Sequence, residues 1–333
     1  MTSAITPKTG DTFVGEYGAV LDGSGWSTTD TTQGAFRAHN QDIDYVTIRN
    51  LVIRKMPQKG IQAYYWMADY WTIEYNEIAA TKYGILFPNH SLIKNNYIHH
   101  NVGDTASANA SERGGGYYGY YATDTTFDTN EIAYNGPEQK VMESVNVTFR
   151  NNFVHHNIRD GIWYDSGNPG ALIEGNRVED NGREGIFYEA GTGGIIRNNA
   201  SRRNGITGVM ISTSLNLQIY NNTLENNFRG ITYFVNCATL TDGRNLDLKN
   251  NAAHDNAIRV GTQSGVLASA FASSGDCTAT QVGAYLNGSK NLTFSRNTYY
   301  VPVLSEAYWL WDRVYPWPQW QSWGQDVDGT LSP

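Results

Sequence analysis

This sequence has few cysteines, no long apolar run and no recognisable signal peptide. Only two cysteines, Cys237 and Cys277, occur among 333 residues; this excludes a disulfide-rich scaffold and leaves one disulfide or two buried thiols equally open. No apolar stretch approaches the roughly 20 residues that a membrane helix needs. The opening MTSAITPKTG lacks the basic start and apolar stretch of a signal peptide, although a secreted protein after cleavage would look the same.

Clustered basic charge and nucleotide-binding glycine loops are also missing. The net charge is -8, the isoelectric point is near 5.4 and no basic cluster occurs, which argues against binding to a nucleic-acid backbone. No glycine-rich loop joins a strand pattern to a helix pattern, so nucleotide-dependent enzymes are disfavoured. With 40% hydrophobic residues, the chain is expected to fold around a large core. Because its net charge is negative, a neutral or weakly charged ligand fits it better than a nucleic acid does.

What the sequence does contain is a repeat marked by asparagine. Seven segments carry two asparagines five residues apart, and those between 130 and 222 follow one another at 22 to 24 residues. Apolar and polar residues alternate within each segment, as in β-strands. The leading asparagines are Asn96, Asn130, Asn152, Asn176, Asn199, Asn222 and Asn251, and their partners at plus five are Asn101, Asn135, Asn157, Asn181, Asn204, Asn227 and Asn256.

A period of about 23 residues with three short strands per turn predicts an all-β fold, the parallel β-helix. Successive coils of such a solenoid stack at about 4.8 Å. A buried amide both donates and accepts hydrogen bonds, so identical asparagines in successive coils are predicted to form ladders along the axis. Segments around Asn50, Asn76 and Asn297 keep only the leading asparagine of the pair.

Departures from the period predict where the chain leaves the coil. The 34 residues from Asn96 to Asn130 contain a polar, glycine-rich stretch at 102–116, interpreted as a wall or lid. The 46 residues from Asn251 to Asn297 allow either two coils or one coil with an excursion that holds Cys277. We therefore expect a β-helix over 1–300 with an insertion at 102–116.

The last segment, 301–333, is rich in tryptophan and is predicted to cap the open end of the β-helix, because that end would otherwise expose strand edges and core. A sugar-binding role is the alternative. The tryptophans concerned are Trp309, Trp311, Trp317, Trp320 and Trp323.

The stretch from 161 to 191 repeats itself, as GIWYD and then GIFYE. Strand alternation sends Ile162 and Tyr164 inward and Trp163 and Asp165 outward, and the second copy follows the same pattern. Asp165 and Glu189 are therefore predicted neighbours on an outer face. The equivalent residue is Glu143 in the segment before and Ser212 in the segment after, so the acidic column spans at most three coils.

Two carboxylates at one strand spacing repel each other, and a fold does not need them. Three interpretations are open: the catalytic pair of a retaining glycosidase, a calcium site, or a solvated acidic face balanced by arginines. Retaining glycosidases place their carboxyl groups about 5 to 5.5 Å apart, close to the strand spacing. Calcium also takes carboxylate oxygens from neighbouring coils.

GIWYD, with the glutamate of GIFYE 24 residues later and then IIRNN, resembles the signature of right-handed β-helix glycoside hydrolases of the β-xylosidase type. The resemblance covers roughly residues 130–205 and implies a right-handed parallel β-helix. It also implies that Asp165 is the nucleophile and Glu189 the acid/base. A third family acid lies in a Gly-x-Glu-x-Lys context similar to GPEQK, which points to Glu138, with Lys140 beside it.

Further residues are candidates for substrate binding. Trp163 and Phe187 flank the acids and either stack on a sugar ring or pack beneath the long loop. The charged residues nearby either contact substrate or pair with one another. Of the histidines, His156 alone is kept as a candidate, because Ala133 and Tyr134 interrupt the columns that a metal site would need. The remaining substrate-binding candidates are Lys140, Glu143, Arg159, Asp160, Arg183 and Glu184.

The leading functional hypothesis is a retaining glycoside hydrolase that acts on a poly- or oligosaccharide. A calcium-assisted polysaccharide lyase is the runner-up, with Lys140 and either Arg159 or Arg183 as its basic residues. A non-catalytic glycan-binding spike or adhesin, commonly trimeric, is the third. We expect a carbohydrate partner and neither nucleic acid nor membrane, no cofactor unless calcium binds, and a secreted or extracellular location. Monomer and homo-oligomer stay open.

Overall fold

The computed structural model describes residues 3–26, 34–38, 42–63, 67–235, 247–260, 268–272, 284–285, 288–310 and 314–333. The chain divides into two compact units, Met1–Asp160 and Gly161–Pro333. Both units consist mainly of short strands; a 3-10 helix lies at Ala110–Glu112 and helix α1 at Trp317–Ser322. In the described part, no helix is long and apolar enough to cross a membrane.

The first unit contains seventeen strands among its described residues. They are β1 (Thr12–Val14), β2 (Val20–Asp22), β3 (Gly34–Ala38), β4 (Thr47–Arg49), β5 (Val52–Arg54), β6 (Lys59–Ala63), β7 (Thr72–Glu74), β8 (Glu77–Ala79), β9 (Tyr83–Leu86), β10 (Leu92–Lys94), β11 (Tyr97–His99), β12 (Gly115–Tyr120), β13 (Thr126–Asp128), β14 (Glu131–Ala133), β15 (Lys140–Met142), β16 (Thr148–Arg150) and β17 (Phe153–His155).

Strands of the first unit pair in parallel with the strand three places further along the chain, as in β1–β4, β2–β5 and β3–β6. Each coil therefore has a first, a second and a third strand. The inward residue of every first strand from β4 to β16 is large, apolar and fully buried, and these residues stack in register. Such columns supply the core, since burying each side chain contributes about 1.5 to 3 kcal/mol. The column is Ile48, Ile73, Ile93, Phe127 and Phe149.

The second unit repeats the arrangement. Its strands are β18 (Ile162–Gly167), β19 (Ala171–Glu174), β20 (Arg177–Glu179), β21 (Ile186–Arg197), β22 (Ala200–Arg202), β23 (Thr207–Ser212), β24 (Leu215–Tyr220), β25 (Thr223–Asn227), β26 (Arg229–Val235), β27 (Asn251–His254), β28 (Ala257–Val260), β29 (Ala268–Ala272), β30 (Leu292–Ser295), β31 (Thr298–Tyr300), β32 (Ala307–Leu310), β33 (Val314–Pro316) and β34 (Thr330–Ser332).

Third strands of the second unit pair in the order β18–β21–β23–β26–β29–β32, and second strands in the order β20–β22–β25–β28–β31–β34. The long strand β21 serves as the third strand of one coil and the first strand of the next, where it pairs with β19 and β24. The chain is thus a parallel β-helix, as predicted.

The predicted asparagine ladders are present in both units. In the first, the amide Nδ2 of Asn96 donates to Oδ1 of Asn130 at 3.0 Å, and Asn130 donates to Asn152 at 3.0 Å. In the second, Asn199 donates to Asn222 at 3.0 Å. Each side chain is almost fully buried, so the ladder satisfies polar groups that water cannot reach.

The doubled asparagines have separate tasks. The residue before each ladder position adopts a left-handed conformation, as in Asn95, Asn198 and Asn221, with φ between 53° and 57°. Asparagine tolerates this conformation better than most residues do. The first asparagine of a pair therefore turns the corner, while the second enters the core and bonds along the axis.

Two assignments in the repeat alignment are wrong. Asn50 is a corner residue with φ of 58°, and the ladder position is Leu51, whose backbone N–H donates to Asn76. Near the other end, Asn222 donates to Asn256 rather than to Asn251. The slip at Asn50 is one residue, because only the corner asparagine of the pair is present there. The slip at Asn256 is five residues, because corners of the coil recur at that interval and spacing alone does not tell one corner from the next.

The long step from Asn251 to Asn297 spans one coil and not two. β27 pairs directly with β30, and β28 pairs directly with β31. Cys237 and Cys277 both lie outside the described residues, so the two alternatives for them, one disulfide or two thiols, stay as predicted from the sequence.

The aromatic cap is confirmed for the described tryptophans. Trp309 and Trp320 are fully buried, and Trp309 packs against Tyr299 and Trp317 with ring centroids 5.5 and 4.9 Å apart. Trp311 lies outside the described residues.

Candidate functional site

A column of glycines fixes the position of the acidic strands in the second unit. A Cβ atom on Gly185 would lie 2.6 Å from Nδ2 of Asn204 and 2.3 Å from Oγ of Ser201. Gly161 meets Asn181 in the same way, at 2.9 Å. Because the plus-five asparagines occupy this space, a glycine stands immediately before β18 and before β21, and the inward and outward alternation starts from there.

Strands β18 and β21 then run in register. Asp165 is paired with Glu189, and Trp163 with Phe187. The predicted adjacency of the two acids is confirmed, at the strand spacing of about 4.8 Å. Both carboxylates are partly exposed. The next residue in the column is Ser212, so the acidic column ends there.

Several hydrogen bonds hold the two acids in place. Nε1 of Trp163 donates to Oε2 of Glu189 at 3.2 Å, and Oγ of Ser166 donates to Oδ1 of Asp165 at 3.0 Å. The backbone carbonyl of Asp165 accepts from Nδ2 of Asn168 at 2.8 Å. The carbonyl of Asn168 in turn accepts from the hydroxyl of the buried Tyr188 at 2.6 Å. The acids therefore stand on a backbone fixed by the core.

Trp163 and Phe187 point outward as predicted, yet they are only 5% and 6% exposed. Their rings stack on each other with centroids 5.7 Å apart. This leaves little ring surface for a sugar and favours the packing interpretation. What the indole provides to the site is its N–H group on Glu189.

The charged residues before the third strands form neighbour pairs within each unit. In the first unit, Nε of Arg159 lies 3.2 Å from Oδ2 of Asp160, and in the second, Nε of Arg183 lies 3.3 Å from Oε2 of Glu184. Both acids are 1% exposed. The geometry favours the pairing alternative, and substrate contact by these residues stays a prediction.

Glu138 and Lys140 belong to a charged cluster in the first unit. Glu138 is 3% exposed; its Oε1 lies 3.0 Å from Nη1 of Arg113 and its Oε2 lies 3.8 Å from Nζ of Lys140. Arg113 was missed in the sequence, because an arginine inside an irregular loop carries no periodic signal. Glu143, by contrast, occupies a left-handed turn with φ of 45° next to Tyr121.

The histidines form two copies of one arrangement in the first unit. Nδ1 of His155 lies 2.8 Å from Nδ1 of His156, and its Nε2 lies 3.2 Å from the carboxylate of Glu131. His99, His100 and Glu77 repeat these contacts at 2.8 and 3.3 Å. As anticipated, Ala133 separates His99 from His155 in the strand register. His156 is exposed and stacks on Tyr134.

Among the described residues, no group of three or more His, Cys, Asp or Glu side chains is arranged to hold a metal ion. Calcium at the acid pair therefore stays a prediction, which a calcium titration would test.

The chain is similar to known proteins in sequence profile and in fold. The sequence profile described as "Right handed beta helix region" matches residues 33–166, 108–246 and 171–300. No curated protein matches the chain in sequence.

Among solved structures, the mannuronan C-5 epimerase AlgE6 A-module of Azotobacter vinelandii is similar, with a TM-score of 0.72 and 17% identity over 99% of this chain and 86% of that one. The AlgE4 A-module from the same organism has a TM-score of 0.61 and 15% identity over 80% of each chain. The Dettilon tailspike protein gp208 has a TM-score of 0.56 and 13% identity over 92% of this chain and 56% of that one. At these identities, the likeness concerns the fold.

Proposed function

Because the chain belongs to the right-handed β-helix family, we propose that it is a carbohydrate-active enzyme, and specifically a retaining glycoside hydrolase acting on a poly- or oligosaccharide. The observation that carries the proposal is the register pair of Asp165 and Glu189 on the outer face of β18 and β21. The strand spacing of about 4.8 Å that separates the two backbones is nearer to the roughly 5 to 5.5 Å between the carboxyl groups of retaining enzymes than to the roughly 6.5 to 9.5 Å of inverting ones. The names of the similar structures, two epimerases of a polysaccharide, support a glycan as substrate.

In the proposed mechanism, Asp165 attacks the anomeric carbon while Glu189 protonates the leaving oxygen. A glycosyl ester forms on Asp165 and the glycosidic C–O bond breaks. Glu189, then ionised, removes a proton from water, which attacks the same carbon and frees Asp165. The indole N–H of Trp163 fixes one oxygen of Glu189, so the other oxygen carries the proton.

The test uses wild type, Asp165→Asn, Glu189→Gln and the control Ser212→Ala, which changes the next residue of the same column. Each is incubated with aryl glycosides and with plant and bacterial polysaccharides, and reducing ends and ultraviolet absorbance are recorded together. Asp165→Asn is expected to lose at least about 10³-fold in kcat. Glu189→Gln should still release the leaving group of activated glycosides in a first burst, because that step then needs no acid, but its turnover should fall because hydrolysis of the glycosyl ester lacks its base. Ser212→Ala should resemble wild type.

Retention of anomeric configuration in the first product, read by proton NMR, checks the mechanism. An inverted product would reject Asp165 as nucleophile. A rise in ultraviolet absorbance without water consumption would assign the protein to the lyases, and binding without turnover would assign it to glycan-holding modules. We also propose an extracellular site of action, where such polymers occur.

A further inference from the structure

A cavity of about 280 Å³ opens in the first unit. Its floor consists of third strands β6, β9 and β12, from which Lys59, Tyr83 and Tyr118 contribute side chains. Ser111 and Glu112 form its wall. The volume lies near the lower end of the range of roughly 300 to 1,000 Å³ for small-molecule sites, which suits one sugar ring.

The wall is built by the excursion after β11. Its two ends pair through the backbone, with Gly103 N–H donating to the carbonyl of Arg113 at 3.0 Å. The side chain of Arg113 then bonds Glu138 at 3.0 Å, and Lys82 bonds Glu112 at 2.5 Å. These contacts hold the wall in place without a ligand, so little ordering free energy is lost on binding.

The lining combines aromatic and polar groups. Tyr118 is partly exposed and offers apolar ring surface to the C–H groups of a sugar. Tyr83, which is 6% exposed, packs against it edge to face with ring centroids 5.6 Å apart. The Lys82–Glu112 pair offers a donor and an acceptor. Burial, with Tyr118 and Glu138 nearby, raises the pKa of Tyr83, so its hydroxyl remains neutral.

The charge around the cavity is opposite in sign to that of the protein. The charged residues that line the cavity are the cations Lys59 and Lys82 and the carboxylate Glu112, a balance of 2 − 1 = +1. Beyond the lining, the cations Arg113 and Lys140 lie against the single carboxylate of Glu138. Lys140 is the register neighbour of Tyr118. The whole chain carries -8, whereas the lining of this cavity is net positive, which attracts anions.

We propose that this cavity is a subsite for one anionic pyranose unit of a glycan, such as a hexuronate or a sulfated sugar. The inference rests on the proposed action on glycans but not on its chemistry.

The experiment uses isothermal titration calorimetry to measure how tightly the Asp165→Asn protein binds oligosaccharides. This variant is chosen because turnover does not interfere. The ligands are hexuronate oligosaccharides, their carboxyl-reduced neutral counterparts and a sulfated oligosaccharide. We expect an anionic ligand to bind at least about tenfold more tightly than the neutral one. Tighter binding of hexuronates than of the sulfated sugar identifies carboxylate as the preferred anion, and the reverse identifies sulfate. Equal affinity for anionic and neutral ligands, or no binding, overturns the proposal.

Added substitutions separate charge from structure. Lys82→Met should weaken hexuronate binding about tenfold or more, and Glu112→Gln should strengthen it, because it removes a negative charge. The exchange of Lys82→Glu with Glu112→Lys keeps the pair and should restore binding. The control is Lys94→Met, which removes a cation of β10 that pairs with Glu74 of β7. It should leave hexuronate affinity unchanged.

Failure of the exchange to restore binding, or an equal effect of Lys94→Met, would reject charge selection at the cavity. Selective binding of anionic ligands together with no hydrolysis by the wild-type protein would reject the proposed catalytic chemistry and leave the subsite standing.

Discussion

Asn199 makes four side-chain hydrogen bonds inside the second unit. Its Nδ2 donates to the carbonyl of Ile173 at 2.9 Å and to Asn222 at 3.0 Å, and its Oδ1 accepts from the backbone and side-chain amides of Asn176 at 2.9 and 3.0 Å. An amide is the side chain of this size that supplies two donors and one double acceptor. The ladder therefore selects asparagine at this position by chemistry as well as by shape.

We expect Asn199→Asp to lower the free energy of unfolding at pH 7 by about 3 kcal/mol or more, because an unpaired buried charge replaces two donors. Asn198→Asp changes the exposed corner residue immediately before it and should cost less than about 0.5 kcal/mol. Chemical denaturation of both variants checks the contrast. Equal losses would mean that the ladder bonds contribute nothing beyond the turn.

At the scale of strands, side chains tie one coil to the next. Glu179 on β20 is 4% exposed, and its carboxylate lies 2.7 Å from Arg177, 3.3 Å from Arg202 and 2.9 Å from Arg203. Arg202 also bonds Glu225 on β25 at 2.6 Å. Three adjacent second strands are thereby linked, and the contact depends on Glu179 being ionised.

The hydrogen bonds from Arg177, followed by those from Arg202 and Arg203, lower the pKa of Glu179 from 4.5 to about 2. A lowered folded-state pKa gives stability that is full above about pH 4.5 and is lost as pH falls towards 2. Glu179→Gln should therefore cost about 2 kcal/mol at pH 7, since the arginines are partly exposed.

Thermal unfolding of wild type and Glu179→Gln from pH 7 down to pH 2 measures this dependence. The difference between them should shrink as pH falls through the window. Glu225→Gln, at a more exposed carboxylate, is the control with a smaller effect. A difference that stays constant with pH would contradict the assignment.

The sequence predicts well which residues lie next to each other in adjacent coils. The spacing of 24 residues between Asp165 and Glu189 matches one coil, and alternation places both on the outer face, as the structure has them. Tyr118 lies 22 residues before Lys140, also one coil, so the same arithmetic could have found it. Arg113 could not be found, because loop residues follow no period.

On the scale of the whole molecule, the solenoid must end its ladders as well as build them. Asn297 donates its side-chain amide to Oδ1 of Asp326 at 2.9 Å, and the same oxygen accepts from the backbone of Asn297 at 3.1 Å. The other oxygen accepts from the hydroxyl of Tyr299 at 2.7 Å and from the indole of Trp320 at 3.3 Å. The last asparagine of the ladder therefore needs a partner that only accepts hydrogen bonds, and the carboxylate of Asp326 is such a group.

Asp326→Ala should destabilise the protein by about 3 to 5 kcal/mol, because it leaves several buried donors without an acceptor. Asp328→Ala, which removes an exposed acceptor for the backbone of Arg296, should cost less than about 1 kcal/mol. Calorimetry, together with hydrogen exchange at β30 and β31, checks both. Similar losses from the two substitutions would show that the ladder does not need a terminal acceptor.

The sequence by itself determined the coil length, the asparagine ladders, the aromatic cap and the adjacency of two acids, because each follows from a period that stacking enforces. Tertiary structure alone decided which asparagine turns a corner, as at Asn50, and which corner Asn256 occupies, since corners look alike in spacing. It also decided the exposure of Trp163 and the charged cavity beside the long loop. Those depend on which side chains meet across coils and on the path of an aperiodic segment, and no local pattern encodes either.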